Sequence, residues 1–381
     1  MPEDAAQLDA PKPLRLLIVL PSWVGDAAMA TPTLRRIRRE LPGTFIGALA
    51  RPGIDQLLAG SDFIDEYHVE RASGVMGPKF VAAKLRPRRY DAALLLTNSF
   101  STALIVRIAG IPRRVGYDRD ARGLLLTEKI DAPKRGVVEF APISAVSYYW
   151  RLASFFLGST PLAASKGVNA QLGLPAGVAM ELVATEADEK LASDILAKGG
   201  VASGERFVIL NPGGNNPAKR WPAERFARLA DDLADLHNFT IVVNGSPGEA
   251  ELVSQIAGLC KKARCVELPR LGITLGALKA ICRRAELMVT NDTGPRHIAA
   301  AFGVPIVSMF GPTDHRWTII PTREDAREII LPADPTLPEK EVSNDHPERC
   351  AIEKIGYERV WEAVETVIGT KARRHVGTEG V

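Results

Sequence analysis

The chain has 381 residues, 46% hydrophobic and 24% charged, a composition that excludes a largely disordered protein. This length fits two domains of about 150–200 residues better than one. The net charge of +3 is too small to indicate nucleic-acid binding.

Apolar strands alternate with helices after a polar leader, residues 1–13, which we expect to be disordered. Leu14–Leu20 is a continuous apolar run, typical of a parallel strand buried on both faces. Similar patterns in the first half predict strands at Thr44–Leu49, Phe63–Val69, Tyr90–Thr97 and Arg113–Tyr117, and helices ending at Leu41 and spanning Ser99–Ala109 and Val138–Leu157.

A second alternation follows a stretch of low periodicity at Gly158–Pro175. It predicts strands at Phe207–Asn211, Phe239–Asn244, Leu287–Thr290 and Pro305–Phe310, and helices at Ala223–Leu236, Gly248–Gly258, Leu275–Arg283, Thr293–Phe302 and Tyr357–Ile368.

Two sets of βα units predict an α/β protein with two doubly wound, Rossmann-like domains facing each other across a cleft. The predicted boundaries are 14–175 for the first domain and 176–345 for the second. Residues 346–381 are predicted to form a helix that crosses back towards the first domain, followed by a tail. Ligands of such sheets bind at the carboxyl ends of the strands.

The cysteines, Cys260, Cys265, Cys282 and Cys350, show neither metal-ligand spacing nor a disulfide framework. We therefore expect no metal site and a reducing compartment. The N-terminus lacks the basic and then apolar order of a signal peptide, and no apolar run approaches the roughly 18 residues that span a bilayer. These features predict a cytoplasmic protein.

A candidate catalytic acid follows the first predicted strand, in the segment Pro21–Asp26. Gly25 is its single glycine, whereas a dinucleotide-binding fingerprint needs three, so a nicotinamide enzyme is disfavoured. Asp26 would stand at a helix N-terminus beside the cleft. It is either a general base or a residue that caps the helix and favours its dipole.

The loop after the strand Phe207–Asn211 is rich in glycine and ends in a lysine. Gly213 and Gly214 would let backbone N–H groups approach an anion, and Lys219 would add a point charge, although the spacing is not that of a P-loop. The alternative is an ordinary strand-to-helix loop with a surface lysine.

A third segment, Thr290–His297, joins another strand to a helix. Its free N–H groups, a hydroxyl and an imidazole suit a diphosphate. The alternative is a helix cap with a buried, hydrogen-bonded histidine. The residues that would serve the diphosphate are Asp292, Thr293, Gly294 and His297.

Glu249 follows the strand Phe239–Asn244, where a carboxylate can accept hydrogen bonds from both ribose hydroxyls. An acid at the start of a helix explains Glu249 equally well. Together, the polar turns of the second half and the acid of the first converge on one cleft, as a nucleotide-sugar site requires.

The segment Lys79–Arg122 carries ten Lys and Arg against three Asp, a net charge of +7. Such a surface could meet an anionic partner, or it could be a solvated face with no partner.

The sequence resembles glycosyltransferase family 9, the ADP-heptose:lipopolysaccharide heptosyltransferases, from about Leu14 to Ile368. The segments that carry the resemblance, in order, are PSWVGDAAMATPTLRRIRRELP, TNSFSTALIVRIAGIPRRVGY, RGLLLTEKI, PAKRWP, NGSPGE, TNDTGPRHIAAAFGVPIVSMFGPTD and CAIEKIGYERVWEAV. The second and third are similar to the type II branch in particular.

The resemblance implies the GT-B architecture and inverting transfer of a heptose from ADP-L-glycero-D-manno-heptose to the inner core of lipopolysaccharide, without a cofactor or a bound metal. It implies that Asp26 is the general base, that Lys219 meets the donor phosphates, and that Glu249 lies near the ribose. Asp292, Thr293, Gly294 and His297 fall on the donor-binding turn, where Pro295 and Arg296 depart from the family's more usual pair.

The acceptors of this family are anionic, lipid-linked oligosaccharides, for which arginine is suited by its bidentate pairing with carboxylate and phosphate. We therefore predict that Arg113, Arg114, Arg119 and Arg122 contact the acceptor, and that Lys84–Arg89 faces the inner membrane. Two alternatives remain: a transferase or epimerase that acts on another nucleotide sugar, such as a UDP-sugar, and a non-catalytic nucleotide-sugar-binding module.

Overall fold

The computed structural model describes residues 14–135, 139–159, 167–321 and 327–378. The predicted leader at residues 1–13, the last three residues of the predicted tail, and Val138, the predicted start of a helix, lie outside the described residues.

The first domain is built on a parallel sheet of six strands in the order β3-β2-β1-β4-β5-β6. Its central strand carries Leu16, Leu17 and Ile18, which are fully buried because helices cover both faces of the sheet. The strands are β1 (Arg15–Val19), β2 (Phe45–Ala50), β3 (Glu66–Val69), β4 (Ala92–Leu95), β5 (Arg113–Asp118) and β6 (Glu128–Asp131).

The second domain repeats this plan with the order β12-β11-β10-β7-β8-β9, again all parallel. Its strands are β7 (Phe207–Asn211), β8 (Thr240–Val243), β9 (Cys265–Glu267), β10 (Met288–Asn291), β11 (Ile306–Phe310) and β12 (Glu328–Pro332). In both sheets the strand order reverses between the first and the fourth strand, which opens a crevice at the carboxyl ends. The doubly wound fold predicted from the sequence is confirmed.

Helices connect the strands and cover both sheets. In the described part of the chain they are α1 (Val24–Met29), α2 (Thr31–Glu40), α3 (Ile54–Leu58), α4 (Gly77–Leu85), α5 (Phe100–Ile108), α6 (Ala145–Leu157), α7 (Gly167–Gln171), α8 (Glu186–Lys198), α9 (Ala223–His237), α10 (Ala250–Leu259), α11 (Leu275–Arg284), α12 (Gly294–Ala301) and α13 (Tyr357–Thr378).

The helix predicted from Val138 is shorter than expected. It begins at Ala145, because the Ser144 side chain caps it by accepting a hydrogen bond from the Val146 N–H. Lys134 and Phe140 form an isolated antiparallel bridge ahead of that cap. The predicted residues before Ala145 are therefore not helical where they are described.

The prediction that the last helix crosses back towards the first domain is wrong for the part of that helix up to Gly369, whose side chains are described. Val360, Val364 and Val367 lie on one face of α13 and pack into the core of the second domain beside Trp221 and Phe226. Spacings of four and three residues put these apolar side chains on a single stripe, and the second sheet buries that stripe.

The chain passes between the domains along the segment that precedes α8. The Glu181 N–H still donates to Thr31 Oγ1 of α2, at 3.1 Å. In contrast, Asp188 on α8 pairs with Lys279 of α11, within the second domain. Lys279 is fully buried, and its ammonium also donates to the Ala59 carbonyl of the first domain, at 3.1 Å.

Helices α1 and α12 pack against each other across the cleft. Two glycines allow this approach: a Cβ on Gly294 would lie 3.0 Å from Cβ of Val24, and a Cβ on Gly25 would lie 2.6 Å from the ring of His297. The N-terminal ends of the two helices therefore meet at the strand-order reversals of both sheets.

Candidate active site

A cavity of about 550 Å³ lies between the domains, at the carboxyl ends of both sheets. Its walls come from the turns after β1, β7, β8 and β10, as expected for a ligand site of doubly wound sheets. The cavity brings together every residue predicted for catalysis or donor binding: Gly25, Asp26, Gly213, Gly214, Lys219, Glu249, Asp292, Thr293, Gly294 and His297.

Asp26 is the third residue of α1, and its carboxyl group faces the cavity. Burial raises the pKa of Asp26 to about 6, with a smaller contribution from the negative charge of Asp292. The N-cap position of α1 is occupied by Trp23, whose side chain makes no capping hydrogen bond, so Asp26 is not the N-cap residue. Capping therefore does not account for Asp26, although the carboxylate still lies in the favourable first turn of the helix.

His297 is buried against Gly25, and its Nδ1 has no hydrogen-bond partner in the described part of the chain. Burial lowers the pKa of His297 well below its usual value, and the neighbouring Arg296 lowers it further. The ring is therefore neutral at physiological pH. It can offer a hydrogen bond to a ligand but supplies no positive charge.

Lys219 is the cation of the cavity wall. Its Nζ lies 3.0 Å from Oδ2 of Asp292, and the other carboxylate oxygen of Asp292 accepts from the Thr318 hydroxyl at 3.4 Å. The lysine is partly buried and paired, which favours the predicted site over a solvated surface lysine. Asp292 instead holds the ammonium against the turn where a diphosphate is predicted.

Buried amide side chains tie these turns together, and the sequence analysis did not select them as site residues. Asn211 Nδ2 donates to both Thr290 Oγ1 and Thr293 Oγ1, at 2.8 and 2.7 Å. Its Oδ1 accepts from Asn244 Nδ2 at 2.7 Å. A polar residue that ends an otherwise buried strand was the available signal, because such a group must find a partner.

Glu249 stands at the start of a helix, as one of the two predictions has it, and it also lines the cavity. Burial acts to raise its pKa, but hydrogen bonds from the backbone and hydroxyl of Ser246 and from the Gly214 N–H outweigh burial and lower it. The Ser246 bonds form a capping box, and the 2.7 Å bond from Gly214 fixes the glycine loop. The carboxylate thus shapes the loop and also lines the cavity.

Arg296, which departs from the family pattern, is fully buried beneath the cavity turn. Its guanidinium forms a bidentate pair with Glu328 at 2.6 and 3.0 Å, and it donates to the Thr318 carbonyl at 2.9 Å. The residue therefore connects α12 to β12 and to the Thr318 turn.

None of the four arginines predicted to bind the acceptor is among the described residues that line the cavity. Arg113 and Arg114 begin β5, so they lie at the opposite edge of the sheet from the cavity, which contradicts their predicted place near the cleft. Arg113 pairs with Glu128, and Arg114 donates to the Ile111 and Leu125 carbonyls.

Arg122 and Arg119 follow the carboxyl end of β5, on the cavity side of the sheet. Arg122 is fully buried and donates to the carbonyls of Tyr117 and Thr97. Arg119 stacks on Phe140, 3.8 Å from the ring centroid, and is partly exposed. Of the four, Arg119 is the one whose guanidinium is not held by backbone carbonyls in the described structure.

The basic segment Lys84–Arg89 is largely paired with protein groups. Lys84 pairs with Glu70, Arg88 with Glu66, and Arg86 donates to the Ile108 carbonyl. Glu66 begins β3, so Arg88 lies at the edge of the sheet away from the cavity. No helix in the described ranges is both long and apolar enough to span a membrane.

Comparisons with known proteins agree on one family. The sequence profile of glycosyltransferase family 9 (heptosyltransferase) matches residues 80–348. Lipopolysaccharide heptosyltransferase 2 of Escherichia coli K12 is 29% identical over 333 residues, covering 84% of this chain and 88% of that protein. Lipooligosaccharide heptosyltransferase 2 of Haemophilus influenzae is 26% identical, covering 83% and 88%.

Solved structures give the same result for the fold. The structure of E. coli ADP-heptose lipopolysaccharide heptosyltransferase II superposes with a TM-score of 0.74 at 26% identity, covering 94% of this chain and all of that one. A family 9 glycosyltransferase from Veillonella parvula superposes with a TM-score of 0.77 at 23% identity, covering 93% and 97%.

Proposed function

Because the chain belongs to glycosyltransferase family 9, we propose that it transfers a heptose from ADP-L-glycero-D-manno-heptose to the inner core of lipopolysaccharide, with inversion at the anomeric carbon. The relatives named heptosyltransferase 2 support this activity over most of the chain. The observation that carries it is the cavity in which a buried carboxylate of the first domain faces a lysine and a helix N-terminus of the second.

Asp26 is the proposed general base. Its pKa of about 6 leaves it mostly ionised at neutral pH, yet more basic than an ordinary aspartate. The carboxylate takes the proton of the acceptor hydroxyl as that oxygen forms its bond to the anomeric carbon. The bond from the anomeric carbon to the diphosphate oxygen breaks on the opposite side, and ADP departs with the electron pair.

Lys219 and the N-terminus of α12 are proposed to stabilise the departing diphosphate. The ammonium of Lys219 provides a full positive charge, and the N–H of Gly294 adds the positive end of the helix dipole. His297 adds a hydrogen bond but no charge, since its ring is neutral. On this proposal the protein itself supplies the positive charge, and the reaction needs no cofactor or bound metal.

The acceptor is proposed to be an anionic, lipid-linked oligosaccharide that the enzyme meets at the cytoplasmic face of the inner membrane. Contact with that membrane is proposed to be peripheral. Arg119 is the acceptor-binding candidate of the first domain that the geometry supports best, because it follows the carboxyl end of β5 and keeps a partly exposed guanidinium.

A donor screen tests the proposed function. Calorimetry with ADP-heptose, ADP and a panel of UDP-sugars should show tight binding to the adenine nucleotides, and mass spectrometry should detect a heptosylated acceptor. Tight binding to UDP-sugars alone would contradict the assignment and favour another sugar donor. Donor binding without any transfer would favour a non-catalytic module.

A further inference from the structure

Most of the large apolar side chains that stay exposed in the first domain gather at one edge of its sheet, with Phe155 on α6 as an exception. Val75 is 97% exposed and, with Met76 and Phe80, follows β3. Phe100 begins α5 after β4, and Leu124, which is 94% exposed, follows β5. These five residues form the apolar rim.

The rim is continuous through the fold. Helix α4 packs on α5, and α5 packs on the turn Gly123–Leu125 that presents Leu124. Trp23 follows β1 in the same sheet, is 65% exposed and also lines the mouth of the cavity. The rim therefore lies on the cavity edge of the sheet, and exposed apolar groups of this extent are unusual on a surface without a partner.

Cations without an ionic partner in the described structure flank the rim. Arg51 follows β2, Arg71 follows β3, and Lys79 stands beside Phe80 on α4, all exposed. Two acidic residues at the same edge are paired, Glu70 with Lys84 and Asp118 with Lys129. The edge beside the rim thus combines apolar side chains with three exposed cations.

We propose that the apolar rim, with Arg51, Arg71 and Lys79, docks the enzyme on the surface of an anionic lipid bilayer. This inference deepens the proposed function and rests on it for the presence of a lipid-linked acceptor in that bilayer. The apolar side chains enter the headgroup region while the cations contact lipid phosphates, the two signals that together give stable peripheral binding.

Docking by this surface also orients the enzyme. The rim and Trp23 share the edge of the first sheet that borders the cavity, so the bound enzyme holds the cavity close to the membrane. A sugar attached to a membrane lipid then enters the cavity without leaving the surface. The basic segment Lys84–Arg89, predicted from the sequence to face the membrane, is replaced in this role.

The test is co-sedimentation of the full chain with vesicles of phosphatidylethanolamine and phosphatidylglycerol, and with neutral phosphatidylcholine vesicles. We expect binding to the anionic vesicles that weakens about fivefold with each of Arg51→Gln and Arg71→Gln. The triple variant Val75→Ser/Met76→Ser/Phe80→Ser should weaken it at least tenfold. The matched controls are Leu236→Ser/Leu259→Ser and Lys340→Gln/Lys354→Gln, exposed residues of the second domain that should leave binding unchanged.

Heptose transfer to a soluble, delipidated acceptor separates this inference from the proposed function. Rim variants should keep wild-type turnover on the soluble acceptor and lose it on the vesicle-embedded one. Transfer by a wild-type enzyme that binds no vesicles would overturn the docking surface and leave the function standing. If the wild type instead forms a dimer in solution, binds no vesicles, and is dissociated by the rim variants, the membrane proposal is overturned and the rim is an interface with a second copy of this chain. Vesicle binding without transfer of any sugar would overturn the function instead.

Discussion

The imidazole of His297 occupies the space that a side chain at residue 25 would need: a Cβ on Gly25 would lie 2.6 Å from its Cδ2 and 2.9 Å from its Nε2. One residue belongs to each domain, so their contact sets the distance between the N-termini of α1 and α12. Asp26 and the predicted diphosphate turn are placed by the same contact.

Gly25→Ala should therefore push the two helices apart. We expect a loss of about 1–3 kcal/mol in the free energy of unfolding and weaker ADP binding, because overpacking displaces α12. Thermal melts and calorimetry would measure both. Gly258→Ala is the control, since nothing lies within 4 Å of its Cβ position in helix α10, and it should be neutral or stabilising. Native stability and ADP affinity in Gly25→Ala would show that the contact is not needed.

Asp26→Asn keeps the shape of the side chain but removes the proton acceptor. The value of kcat should fall about 10²–10⁴-fold with little change in donor affinity. In the wild type, kcat/KM should fall as pH drops through the pKa of about 6, because the base of the free enzyme becomes protonated. Near-native turnover of the variant at neutral pH would exclude Asp26 as the base.

The same substitution should stabilise the protein above pH 6. Folding raises the pKa of this carboxyl from 3.8 to about 6, so the folded state binds the proton more tightly than the unfolded state. The ionised carboxylate therefore lowers the stability of the protein, fully above pH 6 and not at all below pH 3.8. We expect the free energy of unfolding of Asp26→Asn to exceed that of the wild type by about 1–3 kcal/mol at pH 8, and this difference to disappear towards pH 4. Denaturant melts across that range would measure it, and a gain independent of pH would point to packing instead.

Lys219→Ala should weaken ADP binding about 10–100-fold and leave adenosine binding unchanged, since the lost charge serves the diphosphate. The variant also leaves Asp292 buried without its cation, which costs stability. The double variant Lys219→Ala/Asp292→Asn separates the two effects, because it should recover stability but not ADP affinity. Equal loss of adenosine and ADP binding would mean that the lysine holds the fold.

Alanine substitution of the four arginines should divide them into two groups. Arg119→Ala should raise the acceptor KM with the donor KM unchanged, and the residual acceptor binding should depend less on salt. Arg122→Ala should instead lose about 1–3 kcal/mol of stability, because buried carbonyls lose their donor. Kinetics and melts on the same preparations would compare them. An unchanged acceptor KM in Arg119→Ala would place the acceptor site elsewhere.

The sequence predicted those elements whose signal is local. Strand β7 has the predicted bounds, Phe207–Asn211, and the polar turns after β1, β7, β8 and β10 supplied the site residues. Strands β6, β9 and β12 were not predicted, because they are short or only partly buried and their sequences therefore show little of the hydrophobic pattern of a strand. Helix α8 was missed because few of its residues are buried.

Relations between distant residues were beyond the reach of local pattern. The Arg296–Glu328 pair joins residues 32 positions apart, and the residues next to Arg296 in the chain do not indicate that Glu328 is its partner. The prediction that Arg113 and Arg114 lie near the cleft was wrong for another reason. Arg113 and Arg114 begin a strand, and the rule that ligands sit after strands already argued against them.

Lys279 has a consequence for how the cleft can move. Its fully buried ammonium pairs with Asp188 in its own domain and donates to the carbonyl of Ala59 in the other domain, so separating the domains there would break the hydrogen bond to Ala59 and leave a buried charge with one partner fewer. The contact between Arg135 and Asp345 is more exposed and breaks at little cost. We therefore expect the contact beside α3 and α11 to act as a pivot if the cleft opens, with the larger displacement on the side of Arg135 and a dependence on salt there.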